Sequence, residues 1–207
     1  MPTEVLSYYL KNKDRKVRLG FQVILQCAPF LKGLKVSGLI SMENESYSEL
    51  EEMLNDKEYS LNVFGIERGN TKARKDIAKW SDVKESIIYM YNNKFADTNV
   101  EYQFGKIDNK EEINKILTSY IEKHFSISDD KQTWFDKMKD LAEEYGYARE
   151  VKEYKQNPEN YKGHVGDIST VIRVALTGRQ NTPDLYEIMQ VLGENSIRER
   201  IEKVIRK

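Results

Sequence analysis

Cysteine is nearly absent from this sequence. Of 207 residues only Cys27 carries a thiol, which excludes an intrachain disulfide and fits a reducing compartment. Histidine is almost as scarce: His124 and His164 stand far apart, so the clustered ligands of a zinc site are missing and no metal is expected. The chain has no P-loop, no dinucleotide-type glycine fingerprint and no G-x-S-x-G elbow. No apolar run approaches the roughly 20 residues of a membrane span, and no signal-peptide pattern opens the chain. A cytoplasmic location without membrane partners is therefore expected. Net charge is -1, so no global field draws in nucleic acid, and any such site has to be a local patch. Acidic residues are plentiful but read mostly as solvated helix faces paired with lysine. No catalytic residue can be assigned from the sequence.

What the sequence does contain is charge and helical periodicity. Charged residues make up 32% and apolar residues 39% of the chain, with a mean hydropathy of -0.70, a balance typical of helical proteins with long solvated faces. Ser81 can cap a helix carrying Val83, Ile87, Met90 and Tyr91 at helical spacing. Asp108 or Asn109 can cap the next, whose stripe is Ile113, Ile116, Leu117, Tyr120 and Ile121. Ser128 can cap a third, with Trp134, Phe135, Met138, Leu141, Ala142 and Tyr145 inward and Gly146 as its stop. Asn157-Pro158 breaks the chain. A helix is predicted over 167–177, with Asp167 near its start and Gly178 past its end. Thr182 followed by Pro183 reads as an N-cap with proline at N1. That helix should stop at Gly193, and Asn195 can cap a last one with Ile197, Ile201, Val204 and Ile205.

The first 65 residues are less decisive. Val17, Phe21, Ile24 and Ala28 suggest a helix, and Ser48 with Glu51 is a capping-box signature. The runs 34–42 and 59–66 are open between strand and helix. The fold class expected is mostly α: two consecutive helical bundle subdomains, 64–127 and 128–207, after an unplaced segment 1–63 in which short strands are possible.

Two basic segments carry what chemistry there is. The first, 67–80, holds Arg68, Lys72, Arg74, Lys75 and Lys79, a Gly69-Asn70 turn and then Trp80. Cations beside an aromatic ring suit RNA, with charge on phosphate and a ring on an unpaired base; a solvated loop entering a helix fits the same residues. The second is the hairpin between the 167–177 helix and the one opening at Thr182-Pro183. Arg173 precedes the glycine stop and Arg179 follows it. Free backbone N–H groups and a positive helix end would point into this loop, where anions and base edges are natural ligands. An ordinary helical hairpin, with Thr182 only capping and Arg173 only paired to a carboxylate, fits as well. Lys152, Lys155 and Lys162 add charge nearby, with Tyr154 and Tyr161 interleaved, and His164 reads as a structural hydrogen-bonding residue.

The segment from Trp134 to Arg200 resembles the C-terminal anticodon-binding domain of bacterial-type glutamyl-tRNA synthetases, a family of class I aminoacyl-tRNA synthetases. RVALTG (Arg173 to Gly178) followed by TPDLYEIMQVLG (Thr182 to Gly193) is the specific part. KEYKQNPENYKGHVGD (Lys152 to Asp167) extends it, and ARKDIAKWSDVKE (Ala73 to Glu85) is similar to the start of the preceding helical domain. The family's catalytic half is a Rossmann-type domain with HIGH-like and KMSKS-like motifs, and neither occurs here. The resemblance therefore implies a C-terminal part detached from its catalytic half, a tRNA(Glu) partner, and no cofactor of its own, with ATP and magnesium belonging to the absent domain. It also implies that Arg173, Thr182, Pro183 and Leu185 line the pocket for the anticodon bases; Arg179 is a further RNA-binding candidate by its charge and its position in the hairpin. Arg68 and Arg74 are candidates for a further base-reading arginine by charge and position. The alternative is a helical interaction or regulatory module of the same fold that no longer binds RNA.

Overall fold

The computed structural model describes residues 52–68, 77, 82–98 and 100–207. The expected helix through Val17, Phe21, Ile24 and Ala28, the Ser48–Glu51 capping box, the 34–42 run, the Ser81 cap and the cations Lys72, Arg74, Lys75 and Lys79 lie outside these residues, as does Trp80. The chain divides into two compact units, Met1–Tyr91 and Asn92–Lys207. Among the described residues there is no strand, only one isolated parallel bridge between Ala148 and His164. The mostly α class is thus confirmed.

In the first unit the 59–66 run belongs to a helix, α1 (Lys57–Gly65), capped by Asp56, which accepts from the Tyr59 N–H at 2.9 Å. Ser60, Val63 and Phe64 face inward. A short α2 (Val83–Ile87) follows and tightens into a 3-10 turn, Ile88–Met90. The tightened turn buries Tyr89 and Met90 in succession. The Tyr59 hydroxyl donates to the Met90 carbonyl, and the Tyr91 ring meets Tyr59 edge-on at 5.4 Å.

The second unit opens with α3 (Asn92–Asp97). Then comes α4 (Lys110–Ser119), with Asn109 accepting from the Glu112 N–H at 3.0 Å, one of the two caps expected. Ile113, Ile116, Leu117 and Tyr120 are buried as their spacing requires, but the backbone widens at Tyr120–His124 into a π-turn, and Ile121 is only half-buried. Next is α5 (Lys131–Glu144), capped not by Ser128 but by Asp130, which accepts from the Thr133 N–H at 2.7 Å. Ser128 pairs with Ser126 instead, at 2.8 Å. Trp134, Met138, Leu141 and Ala142 are buried, while Phe135 sits at the edge under the Lys139 ammonium, 4.9 Å from its ring. Gly146 follows the helix end as expected, and Asn157-Pro158 separates the short α6 (Val151–Gln156) from a 3-10 turn.

The centre of this unit is α7 (Val165–Thr177), inward-facing along nearly its whole length through Val165, Ile168, Val171, Ile172, Val174, Ala175 and Leu176. It packs on α5, on α4 and on α8 (Leu185–Ile205), and α8 in turn packs on α4. The helix begins two residues before the predicted start because His164 caps it. The His164 Nδ1 accepts from the Gly166 N–H at 3.0 Å, while the Asp167 carboxylate accepts from the His164 N–H at 2.9 Å. His164 is structural, as expected. Gly193 interrupts α8 with φ 75° and ψ 160°, a conformation that is essentially glycine's alone. The predicted stop at Gly193 therefore holds as a kink between two helical halves. Asn195 does not cap the second half, because it already lies in helical backbone and a cap residue does not.

Candidate functional site

The α7–α8 hairpin joins three of the sequence-predicted residues directly. Arg173 leaves α7 half-buried, and its Nη1 donates to the Thr182 hydroxyl, to the Thr182 carbonyl at 3.3 Å and to the Pro183 carbonyl at 2.7 Å. It ties the far end of the loop back to the helix that launched it. The near end is closed by Thr177, buried in the last turn: its hydroxyl donates to the Arg173 carbonyl at 2.7 Å and accepts from the Arg179 N–H at 3.2 Å. Gly178 ends α7 with φ 70°, its N–H donating to the Val174 carbonyl at 2.7 Å. Arg179 is half-buried beside it. Leu185 is buried in the core under the loop, at 3% exposure, and Pro183 is buried too. Arg68 belongs to the first unit, where its Nη1 donates to the Phe64 carbonyl at 2.9 Å, and Arg74 lies outside the described residues.

Thr182 is not the N-cap of α8. That role is taken by Asp184, whose Oδ1 accepts from the Glu187 N–H at 3.0 Å. Thr182 instead receives the guanidinium of Arg173, and α8 starts two residues beyond Pro183. A carboxylate is the stronger acceptor at a positive helix end, and Thr182 and Pro183 lie ahead of the helix, where their carbonyls accept from Arg173. Accordingly, Asp184→Ala should cost about 0.5–2 kcal/mol, read as a fall in the thermal midpoint, whereas Thr182→Ala should act through the Arg173 clamp, with the Asp184 cap intact.

The cap changes the electrostatics of the loop. Asp184 and Glu187 place two carboxylates on the first turn of α8, with the Lys131 ammonium 2.7 Å from Asp184 and 4.0 Å from Glu187. The positive helix end is thereby already compensated. A phosphate would meet acid there, while a neutral base edge would not, so the loop is better suited to hydrogen-bonding a base than to gripping backbone phosphate. The start of α8 is held by aromatic and polar contacts to the other side of the unit. The Tyr186 hydroxyl donates to the Asp129 carbonyl at 2.9 Å, and its ring lies 5.7 Å from that of Trp134. The Trp134 Nε1 donates to the Tyr120 hydroxyl at 3.1 Å, and burial pushes that phenol's pKa up, keeping it a neutral link in the core.

Sequence reasoning missed two residues that brace this hairpin, Arg200 and Asn92. An arginine at a core-facing position of a helical stripe was the available signal. Among the described residues no group of histidine, cysteine and acidic side chains is arranged to hold a metal, and no helix is long and apolar enough to cross a membrane.

Residues 45–205 match the family model for the anticodon binding domain. The glutamate–tRNA ligase of Clostridium perfringens strain SM101 is 43% identical over 159 residues, 76% of this chain and 29% of that protein. That of Acetivibrio thermocellus is 40% identical over 168 residues, 81% of this chain and 30% of that protein. That of Sorangium cellulosum is 39% identical over 153 residues, 74% of this chain and 26% of that protein. The chain thus spans less than a third of the length of the curated relatives it matches. No solved structure is significantly similar to it.

Proposed function

The chain belongs to the anticodon binding domain family, and from that premise we propose that it recognises the anticodon of tRNA(Glu) through the α7–α8 hairpin, as the anticodon-binding part of a glutamate–tRNA ligase. The observation that carries this reading is the joining of Arg173, Thr182 and Pro183 into one bonded cluster at the loop, in a chain whose relatives are glutamate–tRNA ligases.

The physics of the ligand fits. Anticodon bases are unpaired and can be splayed out, so side chains can bond their Watson–Crick edges. Arg173 and Arg179 bring guanidinium donors to a loop whose acidic first turn disfavours phosphate. Affinity without sequence information would come from lysines elsewhere, through contacts that weaken with salt. Leu185 and Pro183 serve as the packed floor of the loop, since both are buried. Arg68 and Arg74 are proposed as further RNA contacts by their charge and position in the sequence. The proposal places no cofactor on this chain and leaves ATP and magnesium to a catalytic domain. It also places the protein in the cytoplasm, where aminoacylation occurs.

Titration with tRNA(Glu) transcripts at two salt concentrations tests the reading. Binding is expected to weaken as salt rises and to weaken further when the anticodon is changed. Absence of binding to either transcript up to about 100 micromolar, the weak end of ordinary non-specific affinity, would overturn it.

A further inference from the structure

Arg200 lies in the second half of α8 and is only 5% exposed, a position arginine occupies only when its donors are satisfied. Its Nη1 donates to the Leu176 carbonyl at 2.5 Å, in the last turn of α7. Its Nε and Nη2 donate to Asn92 Oδ1 at 3.1 and 2.6 Å. The guanidinium also stands 4.4 Å from the centroid of the Phe95 ring. Asn92 is held in turn, its Nδ2 donating to Ser196 Oγ at 2.7 Å.

These contacts converge on the root of the hairpin loop. The last carbonyls of a helix are orphan acceptors with partial negative charge, and a buried cation complements them. Phe95 and Val100 are the side chains nearest the vacant Cβ position of Gly178, the residue at which α7 turns into the loop. Arg173 thus fixes the far side of the loop, and Arg200 fixes its root together with α3.

We propose that Arg200, oriented by Asn92, is a positioning residue that sets the α7–α8 loop in its base-reading conformation, acting through Leu176 and Phe95 and not by touching RNA. The consequence for RNA rests on the anticodon reading above; the consequence for loop order does not.

The test runs through Asn92, an exposed residue, because removing a buried arginine risks unfolding the unit. Asn92→Ala and Asn92→Asp are made in the full chain. Amide hydrogen exchange is followed in the free protein, and affinities are measured for tRNA(Glu) transcripts with the native and an altered anticodon. In Asn92→Ala the Gly178 and Arg179 amides should exchange about five- to tenfold faster, the effect of losing about one net hydrogen bond. Discrimination between the two anticodons should fall severalfold while the salt dependence is unchanged. Asn92→Asp should restore both, since a carboxylate accepts the same guanidinium fork. Unchanged exchange at Gly178 and Arg179 in Asn92→Ala overturns the positioning role. So does faster exchange spread evenly over α7 and α8, or an equal loss of affinity for both transcripts. If the unmodified chain binds neither transcript, the exchange data still decide the role of Arg200, and only the anticodon reading fails.

Discussion

Arg173→Ala is expected to erase about 1–3 kcal/mol of anticodon discrimination, roughly a five- to 150-fold change in the ratio of affinities for native and altered transcripts. The same substitution removes a charged donor from the Thr182 hydroxyl and from the Thr182 and Pro183 carbonyls. Hydrogen bonds to charged groups are worth about 1.5–3 kcal/mol, so a lower thermal midpoint accompanies the loss of discrimination. The helices themselves should survive, because α7 is built on its apolar face and Arg173 is only half-buried at its edge. Circular dichroism at low temperature checks the fold, and paired titrations check the discrimination. Arg173→Lys is the sharper variant: it keeps the charge but not the planar fork, so it should retain most salt-dependent affinity and lose discrimination. If Arg173→Ala binds native and altered transcripts in the unmodified ratio, Arg173 is a loop clamp only and its assignment as a base reader is wrong.

The largest loss of stability is expected from Gly178→Ala. Gly178 holds φ 70°, and a Cβ there would stand 2.7 Å from Val100 Cγ1. Left-handed backbone costs a non-glycine residue about 1–2 kcal/mol, and overpacking adds about 1–3 kcal/mol. Thermal or denaturant unfolding of the single variant measures the sum. The double variant Gly178→Ala/Val100→Ala separates the parts, since truncating Val100 relieves the clash and leaves the backbone cost. A single variant as stable as the parent would mean that the loop leaves α7 in some other conformation. The loss should also weaken discrimination between anticodons, because Gly178 sets the direction in which the loop departs.

The helices were legible in the sequence where their apolar spacing was strong. The stripes of α4 and α5 name most of the residues that the fold buries there, with Ile121, Phe135 and Tyr145 left half-buried at the edges, because burial on one face follows the helical period. Stops were legible wherever backbone chemistry forced them: Gly146, Asn157-Pro158, Gly178 and Gly193 all end or bend a helix. Starts were less legible. Ser128, Thr182 and Asn195 each have a capping side chain, but the cap belongs to whichever residue stands one position before helical backbone. At two of these starts a nearby aspartate holds that position. His164 caps α7 although histidine is rarely read as a cap, and its imidazole works there because Asp167 completes the reciprocal pair.

The candidate site divides in the same way. The motif that resembles the synthetase family points to the hairpin, and the match of residues 45–205 to the anticodon binding domain bears out the family. Sequence also placed Arg173, Thr182 and Pro183 in it by their positions around a glycine stop. It did not indicate that the three bond to one another, that Asp184 and Glu187 neutralise the helix end, or that Arg200 reaches from the far half of α8 to the root of the loop. Periodicity and turn chemistry are local, and a linear sequence carries them in full. Which donor meets which acceptor across 24 or 108 positions, as Arg200 does with Leu176 and Asn92, depends on how α3, α7 and α8 pack, and only the tertiary structure decides it.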